Sequence, residues 1–247
     1  MKIDPKATSD LSAQIAEAIR DAIVSGKLIV DERLPSEAEL AEQFAVSRTT
    51  VREALKRLAA QSLIRTQRGA FGGAFVNRIT FEAAHGQQIT TATLLLSMNE
   101  VDFDTACEAR FALERACAPL SAARRSADHL ATMRAEIHRQ GQQGLSDEAF
   151  CASDVTFHRA LVDGAQNPVL SYHLAGAVEA MQPLMNMITF TARSRAEIIA
   201  RHVAIADAVE AGDGTAAEAG LADLCRYTQG LAAHVLEERR KRDAAKV

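Results

Sequence analysis

The chain has no tryptophan, two tyrosines and nine phenylalanines in 247 residues. So few aromatics beside abundant alanine suit packed helices better than sheets. Five prolines and thirteen glycines leave little room for long structureless loops. The four cysteines (Cys107, Cys117, Cys151 and Cys225) form no C-x-x-C pair. That excludes a thioredoxin-type or zinc-ribbon signature and leaves reduced, mostly buried thiols of a cytosolic protein as the expectation. No apolar run approaches the ~20 residues of a membrane span, and no signal-type apolar run opens the sequence. A soluble, cytoplasmic protein with no membrane partner is therefore expected, long enough for one large or two modest domains.

Charge of one sign is scarce in one place only. The net charge is −4, yet between Ala45 and Arg78 there are seven bases (Arg48, Arg52, Lys56, Arg57, Arg65, Arg68 and Arg78) against the single acid Glu53. That window carries +6, so the rest of the chain carries −10. One basic patch on an acidic body is the layout expected of a DNA-binding head joined to a domain with another task.

Residues 1–78 carry the pattern of such a head. Leu11, Ile15, Ala18, Ile19, Ala22 and Ile23 make one apolar helix face from near Ser9 to Val24, ended by Gly26. Ser36 with Glu39 three residues on is a capping box that starts a second helix, with Leu40 and Phe44 on its buried side. Ser47 caps a third helix in which Val51, Ala54, Leu55 and Leu58 line the core. The opposite face offers Thr49, Arg52, Glu53 and Lys56, with Arg48 in the first turn. This is the layout of a recognition helix, whose N-terminal side chains reach base edges. Arg48 and Arg52 can each present two parallel donors to guanine O6 and N7. Thr49 and Thr50 suit phosphate oxygens or a thymine methyl, and Lys56 and Arg57 suit phosphates. Leu63–Gln67 and Ala74–Asn77 can pair as strands around the glycine-rich tip 68–73, where Arg68 is placed to enter a minor groove.

Three strings, LPSEAELA at 34–41, VSRTTVREALKRL at 46–58 and GAFV at 73–76 after Gly69, resemble the head of GntR-superfamily bacterial transcription regulators. The resemblance implies a winged helix-turn-helix of three helices and a small β-hairpin wing. The DNA-facing set is then Ser47, Arg48, Thr49, Thr50, Arg52 and Lys56, with Arg68 and Gly69 in the wing. One departure is Ala38, where the family often has a DNA-contacting Arg.

A polar stretch, 79–86, reads as a linker, and 87–247 reads as helical throughout. Helices are expected near 87–97, 103–125, 127–140, 146–164, 168–188, 194–211 and 214–240, packed as an antiparallel bundle. Arg110 falls on the apolar stripe of Phe103, Cys107, Leu113 and Cys117. A buried guanidinium needs a partner, and the choices are Glu114 one turn on or a ligand carboxylate. Asp154 and His158 share one helix face, and His202 sits in the pattern of Ile198, Ile205 and Val209. An ordinary helical ion pair and an open metal site of one Asp and two His both fit that spacing.

Segments EARFALE (108–114), DVTFH (154–158), QNPVL (166–170) and RHVAIADAVEAGD (201–213) resemble the FCD effector domain of the FadR-type subfamily. That domain is an all-helical bundle that holds a divalent, zinc-like metal through one Asp and three His and binds a small organic acid with the help of an Arg. By this resemblance Asp154, His158 and His202 are metal ligands and Arg110 is the effector-binding residue. The fourth ligand position is Leu224, which cannot ligate. Cys225 next to it points about 100° away on a helix. Two outcomes stay open: a three-residue metal site, or direct effector binding by Arg110 and the histidines. The reading as a whole is a homodimeric regulator, most often a repressor in this family, that binds a palindromic operator on double-stranded DNA and answers to a small carboxylate. The alternative is a metal-dependent enzyme built on Asp154, His158 and His202 with a vestigial DNA head.

Overall fold

A computed structural model describes residues 10–69, 72–98, 100–181 and 194–244. The order of elements is α1 (Leu11–Val24), α2 (Glu37–Phe44), α3 (Arg48–Ala60), β1 (Ile64–Gln67), β2 (Gly73–Val76), α4 (Phe81–Ser97), α5 (Phe103–Arg124), α6 (Ala127–Gln140), α7 (Asp147–Gly164), α8 (Pro168–Glu179), α9 (Arg195–Ala211) and α10 (Gly214–Ala244). The fold is mainly helical, a helix-turn-helix with a two-stranded wing followed by a helical domain. The chain separates into two compact units, 1–81 and 82–247.

In the first unit the caps set the geometry. Asp10 Oδ1 accepts the Ser12 amide at 2.9 Å to open α1. At α2 the box is complete: Ser36 Oγ accepts the Glu39 amide at 3.3 Å, and Glu39 Oε2 accepts the Ser36 amide at 2.7 Å. Ala45 ends α2 in the left-handed conformation (φ 54°), and Ser47 Oγ takes the Thr50 amide at 3.1 Å to open α3. Ile15, Ile19, Leu40, Val51, Ala54 and Leu58 are fully buried, so each helix packs the face its periodicity marks out. The wing is antiparallel, in the register Ile64↔Val76 to Gln67↔Gly73. Residues 31–34 run beside it: the Leu34 amide donates to Ala74 O at 2.8 Å and the Val76 amide to Glu32 O at 2.9 Å. Ile64 and Val76 are buried at the foot of the hairpin, which anchors the wing, and Arg68 and Gly69 toward its tip are exposed.

The second unit packs α5 against α7, α8, α9 and α10, and α6 against α7 and α9. Its main core contains Phe103, Cys107, Phe111, Met133, Phe150, Phe157, Ile205, Leu221 and Leu224. A smaller cluster of Cys117, Val162, Leu174 and Val178 lies under α8. All four cysteines are free. Burial pushes the Cys107 and Cys117 thiols up to about 12, so they are packing groups rather than nucleophiles.

Two segments differ from the sequence reading. Residues 81–86, read as part of a linker, already belong to α4; Phe81, Glu82, Ala83 and Gly86 are exposed and His85 is the one buried residue, so the sequence shows no apolar stripe there even though the backbone is helical. The helix expected over 168–188 is described as far as Glu179, and 182–188 lie outside the described residues.

Close approach fixes one helix start. A Cβ on Gly214 would lie 2.6 Å from Pro119 Cα, so α10 begins directly against the backbone of α5. Gly214→Ala is therefore expected to lower stability by about 1–3 kcal/mol through overpacking. Gly230, in the same helix with open space at its Cβ position, is expected to gain about 0.5–1 kcal/mol from the same change. Urea melts of the two variants check this, and equal shifts would mean that the α5–α10 contact is looser than described.

Candidate functional site

The head presents α3 as the sequence marks it. Arg48, Thr49, Arg52, Glu53, Lys56 and Arg57 are exposed, opposite buried Val51, Ala54, Leu55 and Leu58. Ser47 and Thr50 are largely committed to the cap: besides the amide contact, their hydroxyls meet at 2.8 Å. Arg68 and Gly69 are exposed at the end of β1, with Gly69 at φ 108°, while residues 70–71 lie outside the described residues.

The basic window is less bare than its +6 suggests. Five of its seven bases are paired with acids. Lys56 meets Glu53 at 2.8 Å, and Arg57 pairs with Asp10. Arg65 and Arg78 share Asp31, at 2.9 and 3.3 Å. Arg52 is held by Glu37 through two bonds, Nε to Oε1 at 3.1 Å and Nη2 to Oε2 at 2.7 Å. Arg48 and Arg68 form no ion pair among the described residues. Asp10, Asp31 and Glu37 all lie outside the 45–78 window, which is why counting charge along the sequence missed them.

In the second unit α5, α6, α7 and α9 converge on one buried polar cluster. Arg110 is 2% exposed, and its Nε donates to Glu114 Oε1 at 2.8 Å. Its Nη2 stands 4.0 Å from Asp154 Oδ2. Burial works against the Arg110 charge, but the Glu114 and Asp154 carboxylates outweigh it and keep the guanidinium protonated. Burial likewise disfavours the Glu114 carboxylate, yet Arg110, assisted by His158, holds its pKa down at about 2. Glu114 Oε2 comes within 2.9 Å of His158 Nδ1 but without the alignment of a hydrogen bond. Ligand atoms of Asp154, His158 and His202 lie within 4.8 Å of one another, and all three residues are buried.

His202 is the informative member. It is fully buried, and that burial lowers its pKa to about 3, so the ring is neutral. Its Nδ1 lies 2.8 Å from the Gln140 side-chain amide, which faces it with Oε1, the arrangement of the tautomer protonated on Nδ1. Nε2 stands 3.4 Å from Asp154 Oδ1 with no hydrogen-bond partner among the described residues, and in that tautomer it offers a lone pair. Phe157 stacks on the ring at 4.0 Å and holds it in that orientation.

A model of the "Bacterial regulatory proteins, gntR family" matches residues 11–76, and a model of the FCD domain matches residues 105–226. Over 219 residues the chain is 31% identical to the "Galactonate operon transcriptional repressor" of Escherichia coli (strain K12), an alignment covering 85% of this chain and 92% of that protein. The chain belongs to the gntR family of bacterial regulatory proteins. The "HTH-type transcriptional regulator LutR" of Bacillus subtilis (strain 168) is likewise 31% identical over 204 residues, covering 81% of this chain and 90% of the relative. Among solved structures, a Streptococcus agalactiae GntR protein shares the fold, with a TM-score of 0.52 at 21% identity over 93% of this chain and 99% of that one. The family consists of transcription regulators rather than enzymes, so the reading of the Asp154 cluster as a catalytic centre is set aside.

In this GntR regulator the residues fit a divalent cation. His158 Nε2 and His202 Nε2 are buried with no hydrogen-bond partner among the described residues. Two imidazole nitrogens and a carboxylate are a donor set for zinc or a neighbouring first-row metal. The outer nitrogens already face Glu114 and Gln140, the kind of support that orients metal-bound histidines. Neither of these supports was picked out as such in the sequence. Along the chain Glu114 reads only as the partner of Arg110, and Gln140 lies 62 positions from His202 with no local signal. Leu224 is 2% exposed and packed in the apolar core, so it contributes no ligand. Cys225 lies outside the ligand cluster, and burial raises its thiol pKa, which removes it as a substitute. No helix among the described residues is long and apolar enough to cross a membrane.

Proposed function

We propose that the protein is a homodimeric, ligand-responsive repressor. In this reading the α3 helices of two protomers enter the major groove at the half-sites of a palindromic operator, and the wings reach the minor groove with Arg68 and Gly69. Arg48, Thr49 and Arg52 read bases or adjacent phosphates, while Ser47 and Thr50 at the helix start and Lys56 two turns on meet the DNA backbone. Repression as the sign of control is supported by the relative named as an operon repressor.

The second unit supplies the control. The observation that carries this is the fully buried His202, whose Nε2 has no hydrogen-bond partner among the described residues and stands 3.4 Å from the Asp154 carboxylate, in a cluster where two carboxylates, Glu114 and Asp154, meet one guanidinium, Arg110. Asp154, His158 and His202 would hold a divalent cation, which would offset the second carboxylate and supply a Lewis-acidic centre for the carboxylate of a small organic acid. Arg110 on α5 orients the acid, and Phe157 and Phe111 exclude water. Effector binding changes operator affinity only in proportion to its unequal fit to the two conformations; a tenfold change needs about 1.4 kcal/mol of coupling.

The test is a gel shift of the full-length protein on DNA upstream of its own gene, over a salt series, with and without zinc and a panel of hydroxy acids and sugar acids. Sequence-specific binding that falls with salt and is released by one acid is the expected result. Equal binding to scrambled DNA would instead indicate an architectural protein, and the absence of any shift at low salt would remove the DNA-binding reading.

A further inference from the structure

We propose that Glu37 is a specificity-determining residue of the DNA head, acting as a buttress that holds Arg52 edge-on so that its free edge reads guanine. The inference rests on the reading of Arg52 as a base-contacting residue.

A guanidinium has two edges able to make paired hydrogen bonds, one formed by Nε and one Nη, the other by both Nη atoms. Glu37 occupies the first, with bonds from Nε at 3.1 Å and Nη2 at 2.7 Å. One hydrogen on Nη2 and one on Nη1 still point forward in parallel, the pair that matches guanine O6 and N7. In the other four ion pairs of the basic window the base meets its acid through a single nitrogen. The carboxylate is also well fixed. Glu37 is the first residue of α2 and lies inside the box of Ser36 and Glu39, so the backbone on both sides of it is fixed by two hydrogen bonds. The pair spans 15 residues and ties the reading helix to the supporting helix across the turn.

Stability does not account for the pair. The Arg52 side chain is 56% exposed and that of Glu37 37%, and pairs this exposed contribute little to folding. Its consequence lies in recognition. A free arginine facing a wrong base swings to a phosphate and recovers much of the lost contact. One held by Glu37 must first give up two hydrogen bonds, and the carboxylate itself repels the backbone. The clamp therefore weakens non-specific binding and makes a mismatch at the guanine expensive.

The experiment starts with selection of a binding sequence from a random duplex library by the full-length wild-type protein. Anisotropy titrations then compare the selected duplex, the same duplex with the guanine replaced, and a scrambled duplex, for wild type, Glu37→Gln and Arg52→Ala. Glu37→Gln is expected to bind scrambled DNA more tightly and to lose about tenfold in the specific-to-scrambled ratio, most of it at the guanine. Circular dichroism melts check that the fold is kept. An unchanged or increased ratio in Glu37→Gln, with Arg52→Ala still losing discrimination, overturns the buttress while leaving Arg52 as a reader. If Arg52→Ala keeps full discrimination, the underlying assignment of Arg52 fails instead. Tighter binding of Glu37→Gln to the selected duplex alone would make Glu37 a competitor of DNA, which also overturns the proposal.

Discussion

Replacing Arg110 by alanine is expected to destabilise the second unit by about 3–5 kcal/mol, because it strands a buried carboxylate. Glu114 is fully buried, and its one aligned partner among the described residues is Arg110 Nε at 2.8 Å. Without the guanidinium, Glu114 either stays charged in an apolar surround or takes up a proton, and the folded state loses free energy either way. A lost effector response in the single variant would therefore report partial unfolding as readily as lost recognition. Arg110→Met combined with Glu114→Gln removes both charges at similar volume and is expected to recover most of the loss. Urea denaturation of the two proteins measures the difference. A single variant within about 1 kcal/mol of wild type would mean that the pair is solvated and not buried as described. The double variant is then the proper protein in which to look for loss of the response to organic acids.

The two halves of the chain were legible to different degrees, for physical reasons. In the head each local signal agrees with its neighbours. Ser36 with Glu39 and Ser47 with Thr50 are caps written within three residues, and the buried set on α3 is the one its 3.6-residue period selects. In the body the helices α5 to α7 were equally readable, since Asp102, Ser126 and Ser146 cap them and short turns separate them. The start of α4 was not, because Phe81 and Ala83 are exposed and the one buried residue there is His85, so no apolar stripe marks the helix. Long-range charge pairing left no trace in the sequence either. Arg57 with Asp10 and Arg52 with Glu37 join residues 47 and 15 positions apart, and only the packing of α1 and α2 on α3 brings them together. The same holds for the polar cluster. The four-residue spacing of Asp154 and His158 placed them on one face, but the approach of His202 to both, and of Gln140 behind it, depends on how α6, α7 and α9 pack.

Adding zinc to metal-stripped protein is expected to raise stability by about 2.7 kcal/mol at a hundredfold excess over its dissociation constant. Asp154→Asn should remove most of that gain, since it takes away the only negatively charged ligand of the set. The position of Leu224 makes the sharper experiment. It is 2% exposed and packed in the same apolar core as Phe157 and Ile205. A histidine there places a polar ring among apolar neighbours, so metal-free Leu224→His should be less stable than wild type by about 1–3 kcal/mol. If position 224 faces the cluster, zinc gains a fourth ligand, and the variant's stabilisation by metal should exceed that of wild type by more than this deficit. Thermal melts with chelator and with saturating zinc give both differences. Equal metal responses in the two proteins would show that Leu224 points elsewhere in the core and that a three-residue site is the whole of what α7 and α9 offer a cation. A larger response in the variant would show that the geometry for four ligands persists in a chain that uses three.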